Sequence, residues 1–373
     1  MEEYKLNKPD MRSYLEQIKP YVPGKPVEEV EREFGLTNVI KLASNENSLG
    51  PSPIAVKAMQ EKIDKMHIYP DGNSFYLRQA LAEKLKLNPG QFIFGNGSDE
   101  ILSFIALAYF SPGDEAVTVS PSFSEYDFAA RLVGAVPRPV PLRGENFLYD
   151  VEAMLSQVND KTKAVFICSP NNPTGSVIGR AELDYLVKKL PEKVLIVLDQ
   201  AYIEYVEDPD HNDGFGYLNE GFPVVILRTF SKIYGLAGLR IGYGIAPVEI
   251  VADINRVREP FNVNAMAQAA ALAAVGDDQH VIRSREMVAS ARKQIDKGLA
   301  ELGLKAVPDQ ANFFFVNTGV DSKLLFQEML KRGVIIRTGD IFGFPEYIRV
   351  TYGTESENKR FLEVLKASLV ELS

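Results

Sequence analysis

From about residue 53 to residue 258, short apolar runs alternate with segments whose apolar residues recur every three or four positions. The runs Phe92–Phe94, Ala116–Val119, Ala164–Cys168, Val194–Leu198 and Val224–Leu227 predict strands. Several are apolar along their whole length and rich in Val and Ile, as strands covered on both faces by helices must be. Between them, Ile54–Met66 and Leu77–Leu87 predict amphipathic helices. This alternation is the signature of βαβ units and a mainly parallel sheet. After Pro260 the order changes. Helical patterns over Ala265–Val275 and Val281–Leu302 precede short strands at Phe313–Val316, Val334–Arg337 and Tyr347–Val350, and a helix from Glu355 closes the chain. The second region therefore predicts a smaller α+β lobe. The first thirty or so residues carry Pro20, Pro23 and Pro26 and predict no regular element beyond a helical turn at Met11–Ile18. They suit an arm lying across a neighbour.

A chain of 373 residues exceeds what one core usually supports, so two lobes are expected. The 46% hydrophobic and 24% charged content is that of an ordinary globular protein. The net charge of −9 is spread along the chain and gathers into no basic face, which argues against a nucleic-acid partner. The apolar runs fall far short of the roughly 20 residues that span a bilayer, and Glu2 and Glu3 do not fit a signal peptide. No membrane association and a cytoplasmic location are expected. One cysteine, Cys168, excludes a disulfide within the chain. One cysteine and three scattered histidines do not suit a Cys/His metal centre, so no metal is expected.

Four segments carry candidate chemistry, and each follows a predicted strand. Thr229-Phe230-Ser231-Lys232 leads on to Gly238-Leu239-Arg240. A lysine amine attacks an aldehyde only when unprotonated, and a loop at a strand end is where such a group is placed and desolvated. The Thr229 and Ser231 hydroxyls and the Arg240 guanidinium together suit a phosphate dianion. Asp199 closes the run Val197-Leu198-Asp199, where a carboxylate serves either to cap the next segment or to hold a pyridine nitrogen protonated. Ser169-Pro170-Asn171-Asn172-Pro173-Thr174-Gly175 is a stiff turn able to fix the Asn172 amide. Gly95-Asn96-Gly97-Ser98-Asp99-Glu100 opens a helix whose free N–H groups suit an anion. Glu100 stands where a dinucleotide fingerprint needs glycine.

Together with Pro20-Tyr21-Val22-Pro23-Gly24-Lys25-Pro26, Leu42-Ala43-Ser44-Asn45-Glu46-Asn47, Tyr69-Pro70-Asp71-Gly72-Asn73-Ser74, Arg258-Glu259-Pro260-Phe261-Asn262 and Ile348-Arg349-Val350-Thr351, these segments span nearly the whole chain. In that order the series resembles the aspartate-aminotransferase fold superfamily, and within it the histidinol-phosphate aminotransferases. The resemblance implies a fold-type I transferase: a large domain with a mainly parallel seven-stranded sheet sandwiched by helices, plus a smaller α+β domain. It implies an arm over residues 1–35, a large domain over 36–260 and a small one over 261–373.

The implied cofactor is pyridoxal 5'-phosphate, held covalently by Lys232, with Asp199 on the pyridine nitrogen and Asn172 and Tyr202 on the phenolic oxygen. Lys232, Asp199 and Tyr202 are the implied catalytic residues. Phe123 takes the place of the stacking aromatic, and Ser98, Asp99, Thr229, Ser231 and Arg240 form the phosphate cup. Tyr69 resembles the tyrosine that reaches this phosphate from the other subunit of a homodimer. Arg349 resembles the clamp for a substrate α-carboxylate and Arg337 the arginine that meets histidinol phosphate's phosphate, with Tyr21 and Asn47 along the substrate path. The implied substrates are histidinol phosphate or an aromatic amino acid, with glutamate and 2-oxoglutarate as nitrogen donor and its product.

The chain departs from the family pattern at Gln200, Phe123 and Ser48, where glutamate, tyrosine and proline are usual. In the loop from Arg337 to Gly343, Asp340 is placed to repel a phosphate and Phe342 to welcome an aromatic ring. A phenylalanine/tyrosine aminotransferase and a phosphothreonine decarboxylase are therefore the rival activities. A cofactor-binding scaffold without turnover is the rival class, but such a scaffold has no use for Lys232, Asp199 and Arg349 together.

Overall fold

In the computed structural model, residues 9–18 and 24–372 are described. The strands, in chain order, are β1 (Ile40–Lys41), β2 (Phe92–Gly95), β3 (Glu115–Ser120), β4 (Val136–Pro141), β5 (Thr162–Cys168) and β6 (Leu195–Asp199). They continue with β7 (Val224–Thr229), β8 (Gly242–Ile245), β9 (Phe313–Asn317), β10 (Val334–Ile335), β11 (Arg337–Thr338) and β12 (Tyr347–Thr351). Seven of them form one sheet in the order β2-β8-β7-β6-β5-β3-β4, in which only β8 runs antiparallel to its neighbours.

The sheet is covered on both faces, and the period-two alternation of the strands sorts their side chains between two cores. In β6 and β7, Leu195, Val197, Val225 and Leu227 join one buried cluster, whereas Ile196, Leu198, Val224 and Ile226 join the other. Each such side chain, shielded almost completely, contributes roughly 1.5–3 kcal/mol. The second cluster runs on without a break into Phe313, Phe314, Val316, Ile348 and Val350 of β9 and β12. These two strands and β11 form a three-stranded antiparallel sheet in the order β11-β12-β9.

Three differences from the expected elements have physical causes. β4 reads Val-Pro-Arg-Pro-Val-Pro, and its three prolines are tolerated because it is an edge strand. The Val334–Arg337 run splits. Val334 and Ile335 pair in parallel with β1, while Arg337 and Thr338 pair with β12. The turn expected at Met11–Ile18 is a short 3-10 helix, Ser13–Gln17.

The four segments that carry candidate chemistry meet at one edge of the large sheet. Gly95, Ser120, Cys168, Asp199, Thr229 and Gly242 terminate or begin their strands there, with Cys168 beside Asp199 and Thr229 beside Gly242 in register. This carboxyl edge is where ligands bind in open α/β sheets.

Candidate active site

A cavity of about 510 Å³ opens at that edge. Ser98, Asp99, Phe123, Asn172, Asp199, Tyr202, Thr229, Ser231, Lys232, Arg240, Arg337 and Arg349 all line it. Lys232, just beyond β7, donates from Nζ to the Ser44 carbonyl at 3.2 Å and lies 5.6 Å from the Tyr202 ring centroid. Burial and then the charge of Arg349 bring its amine down to about 8. About a tenth of the amine is therefore unprotonated at pH 7, far more than for an ordinary lysine.

Asp199 is 2% exposed at the end of β6. Burial raises its carboxyl to about 6, against the hydrogen bonds from Tyr126 Oη to Oδ2 (2.8 Å) and from the Ala201 N–H to Oδ1 (3.0 Å). Tyr202 Oη accepts from Asn45 Nδ2 at 3.0 Å, which leaves the phenol proton to be donated elsewhere. Asn172 Oδ1 accepts from Arg349 Nη1 at 2.5 Å, so the amide NH2 is the end available to a ligand acceptor.

The end of the cavity around Gly97 and Gly242 has no room for extra side-chain atoms. A Cβ on Gly97 would lie 2.5 Å from Arg240 Nη2, and one on Gly242 would lie 2.5 Å from the Ser98 nitrogen. Ser98 opens the helix Ser98–Tyr109, so its end of the cavity carries the unsatisfied N–H groups of a helix N-terminus. Thr229 Oγ1 accepts from the Ser231 N–H at 3.0 Å, which fixes the Thr229 hydroxyl on the turn that carries Ser231. Arg240 holds a left-handed backbone (φ 55°) and is paired to Asp99 at 3.1 Å. Left-handed backbone costs a non-glycine residue of order 1–3 kcal/mol, a cost that concentrates at functional sites. A lysine of lowered pKa, a buried carboxylate, an aromatic face at Phe123 and this anion cradle fit pyridoxal 5'-phosphate.

At the substrate side, Arg349 of β12 and Arg337 of β11 stand directly opposite each other in register. Arg349 is 6% exposed. It also donates from Nη2 to the Ala43 carbonyl at 2.6 Å, and its guanidinium lies 5.5 and 5.7 Å from the Phe313 and Phe342 ring centroids. Like charges facing across a strand pair are destabilising by themselves, so the arrangement suits a site for anions. Arg337 also lines a second cavity, of about 840 Å³, which lies between residues 118–127 and residues 323–342 and shares Phe123 with the first.

Asn47 and Asp340 do not take the places expected of them. Asn47 does not line the cavity, because its amide is committed to the Ile233 carbonyl (2.7 Å) and Ser284 Oγ (2.8 Å) behind the lysine loop. Asp340 lines only the second cavity and is paired with Lys323 at 3.1 Å. Its burial is outweighed by Thr338 and Lys323, which keep it ionised, and much of its charge is offset there. Phe342 already packs toward Arg349. Tyr69, expected to serve the other subunit's site, is 80% exposed, stacked on Phe261 at 4.9 Å and outside this chain's own cavity. Tyr21 lies outside the described residues. Tyr126 and Asn45 were not singled out by the sequence, although each contacts a predicted catalytic side chain. The motif containing Asn45 carried a signal, whereas Tyr126 sits in an unremarkable helix. Among the described residues, no group of three or more His, Cys, Asp or Glu is placed to hold a metal, and no helix is long and apolar enough to cross a membrane.

Fold and site together define an aminotransferase of class I and II, and the model of that family matches residues 37–365. The histidinol-phosphate aminotransferase of Moorella thermoacetica is 52% identical over 97% of this chain and 93% of its own length. That of Caldicellulosiruptor saccharolyticus is 45% identical over 96% and 99%. The chain belongs to the histidinol-phosphate aminotransferase family. The crystal structure of the Sinorhizobium meliloti histidinol-phosphate aminotransferase, in complex with pyridoxal 5'-phosphate, superposes with a TM-score of 0.88. It is 26% identical and covers 96% of this chain and 98% of its own. Aspartate aminotransferase from Thermus thermophilus, 24% identical with a TM-score of 0.82 over 98% of this chain and 99% of its own, shares the fold.

Proposed function

We propose that this chain is a pyridoxal 5'-phosphate-dependent aminotransferase that moves an amino group between histidinol phosphate and 2-oxoglutarate, a step of histidine biosynthesis. The observation that carries this reading is the facing pair Arg337 and Arg349, opening on the same cavity as Lys232. Two fixed cations near one amine suit a substrate with an anionic group some distance from the reacting nitrogen, a description met by both histidinol phosphate and glutamate.

The cofactor, when bound, supplies an aldehyde that captures amines and a ring that accepts electrons from the substrate α-carbon. The chain supplies the rest. Lys232 would hold the cofactor through its free amine and, as a base beside the substrate, would take the proton from the α-carbon. Asp199 faces the ring nitrogen and keeps it protonated, while Asn172 and Tyr202 donate to the phenolic oxygen. Phe123 would stack on the ring, and Ser98, Thr229, Ser231 and Arg240 would hold the phosphate together with the backbone N–H of Asp99. Arg349 orients the substrate carboxylate with its planar fork, and Arg337 meets the phosphate of histidinol phosphate.

A homodimer with shared sites belongs to the proposal. Ile68, Tyr69, Phe75 and Tyr76 are each more than half exposed, an apolar surface suited to a second copy, with Tyr69 reaching the partner's phosphate cup. The arm at residues 1–35 is assigned to contacts with the partner and the small lobe, and the protein to the cytoplasm.

Specificity constants for histidinol phosphate and phenylalanine, with 2-oxoglutarate as acceptor, test the reading. Preference for histidinol phosphate by about tenfold or more, near 1.4 kcal/mol, is expected. Equal or reversed preference overturns it in favour of an aromatic aminotransferase, and release of carbon dioxide overturns it in favour of a decarboxylase.

A further inference from the structure

We propose that Tyr126 is a positioning residue of this site: its phenol orients the Asp199 carboxylate toward the cofactor's ring nitrogen while its ring braces Phe123. The inference rests on the cofactor reading above and adds a residue to it.

Asp199 ends a fully buried strand, where a carboxylate lacking donors takes up a proton and can no longer stabilise a protonated ring nitrogen. Two donors oppose this. The Ala201 N–H reaches Oδ1 from the adjoining backbone and has little freedom to do otherwise. The Tyr126 phenol reaches Oδ2 from a separate element, the helix Glu125–Leu132. With one donor on each oxygen, rotation about the Asp199 χ2 torsion is restrained and the plane of the carboxylate is set.

Tyr126 is suited to permanent donation. It is 2% exposed, and burial and then the charge of Asp199 hold its phenol well above the ordinary tyrosine range, so its proton stays on. The ring is fixed on one side by stacking on Phe166 of β5, 5.3 Å between centroids and 19° between planes. Its other contact is edge-to-face with Phe123, 5.7 Å and 83°. Phe123 and Asp199 line the same cavity. A single side chain thus touches both the aromatic face and the carboxylate that the cofactor ring requires.

Tyr126→Phe deletes one oxygen and keeps the ring and both aromatic contacts. Pyridoxal 5'-phosphate binding to the dialysed protein is measured by fluorescence quenching. The pH midpoint of the bound cofactor's visible absorption is measured alongside, in the wild-type and Asp199→Asn backgrounds. Loss of one hydrogen bond to a charged group raises the dissociation constant about tenfold and shifts the midpoint by about half a pH unit or more. In the Asp199→Asn background the same change has little further effect, because the two residues act as one unit. The inference is overturned if Tyr126→Phe binds within about twofold of wild type with an unmoved midpoint, or if its effect is equal in both backgrounds.

Should Tyr126→Phe not fold, 3-fluorotyrosine at position 126 makes the same test. The more acidic phenol shifts the midpoint in the opposite direction, and no shift overturns the inference. Wild-type protein that binds no pyridoxal 5'-phosphate sinks the cofactor reading itself, whereas normal wild-type binding with an indifferent Tyr126→Phe sinks only this residue's role.

Discussion

Replacing Arg349 by glutamine tests two consequences of one geometry. Arg349 Nη1 donates to Asn172 Oδ1 and Nη2 to the Ala43 carbonyl. The guanidinium is therefore held by two short bonds, and in the role proposed for it the planar fork meets a substrate carboxylate. Hydrogen bonds to charged groups contribute about 1.5–3 kcal/mol each, so losing two raises the barrier by about 3–6 kcal/mol. That lowers kcat/KM for glutamate by about 10²–10⁴. The second consequence concerns Lys232. Burial and Arg349 are the two largest causes of its lowered pKa. Without the Arg349 charge, the amine titrates above about 8 yet remains below its ordinary value, because burial persists. The assay follows glutamate-dependent absorbance changes and, on dialysed protein, the rate of cofactor capture against pH. Capture by wild type rises with pH through about 8, and capture by Arg349→Gln rises at higher pH. A kcat/KM within about tenfold of wild type, or a capture midpoint that stays or moves down, refutes the reasoning.

Two further outcomes are expected. Asp199 titrates at about 6 in the folded chain against an ordinary 3.8, so between these values the folded state binds more protons than the unfolded one, and stability of the cofactor-free protein falls as pH rises across that window. Urea unfolding at several pH values measures the slope, which Asp199→Asn removes; a slope unchanged in that variant contradicts the assignment. Gly175 has φ +76°, and a Cβ there would lie 2.3 Å from Asp309 Cβ, so Gly175→Ala costs about 2–3 kcal/mol and weakens cofactor binding through the adjoining Asn172 turn. Calorimetry showing an unchanged Tm contradicts this.

The parallel strands were legible in the sequence because burial on both faces leaves an unbroken apolar run, as in Val194–Leu198. β4 and β8 were not. β4 carries Pro137, Pro139 and Pro141, which mark a loop unless its edge position is known. The four residues of β8 include Gly242, whose missing side chain admits the Ser98 backbone, and neither requirement is local. The cofactor end of the site was legible for a related reason: Asp199 ends β6, Asn172 and Lys232 follow β5 and β7 within four residues, and Arg240 stands two residues before β8. Asn47 lay in an equally suggestive motif, yet its amide is satisfied by Ile233 and Ser284, partners 186 and 237 positions away. Tyr126 went unmarked because its meaning comes from Asp199, 73 positions along the chain. The facing of Arg337 and Arg349 depends on β11–β12 register, which a split strand conceals.

Covalent capture by one lysine is the claim on which the rest depends. Protein incubated with pyridoxal 5'-phosphate, reduced with borohydride and mapped by peptide mass spectrometry should carry a single pyridoxyl label, on Lys232. Label absent, or located on a different lysine in the folded protein, contradicts the account.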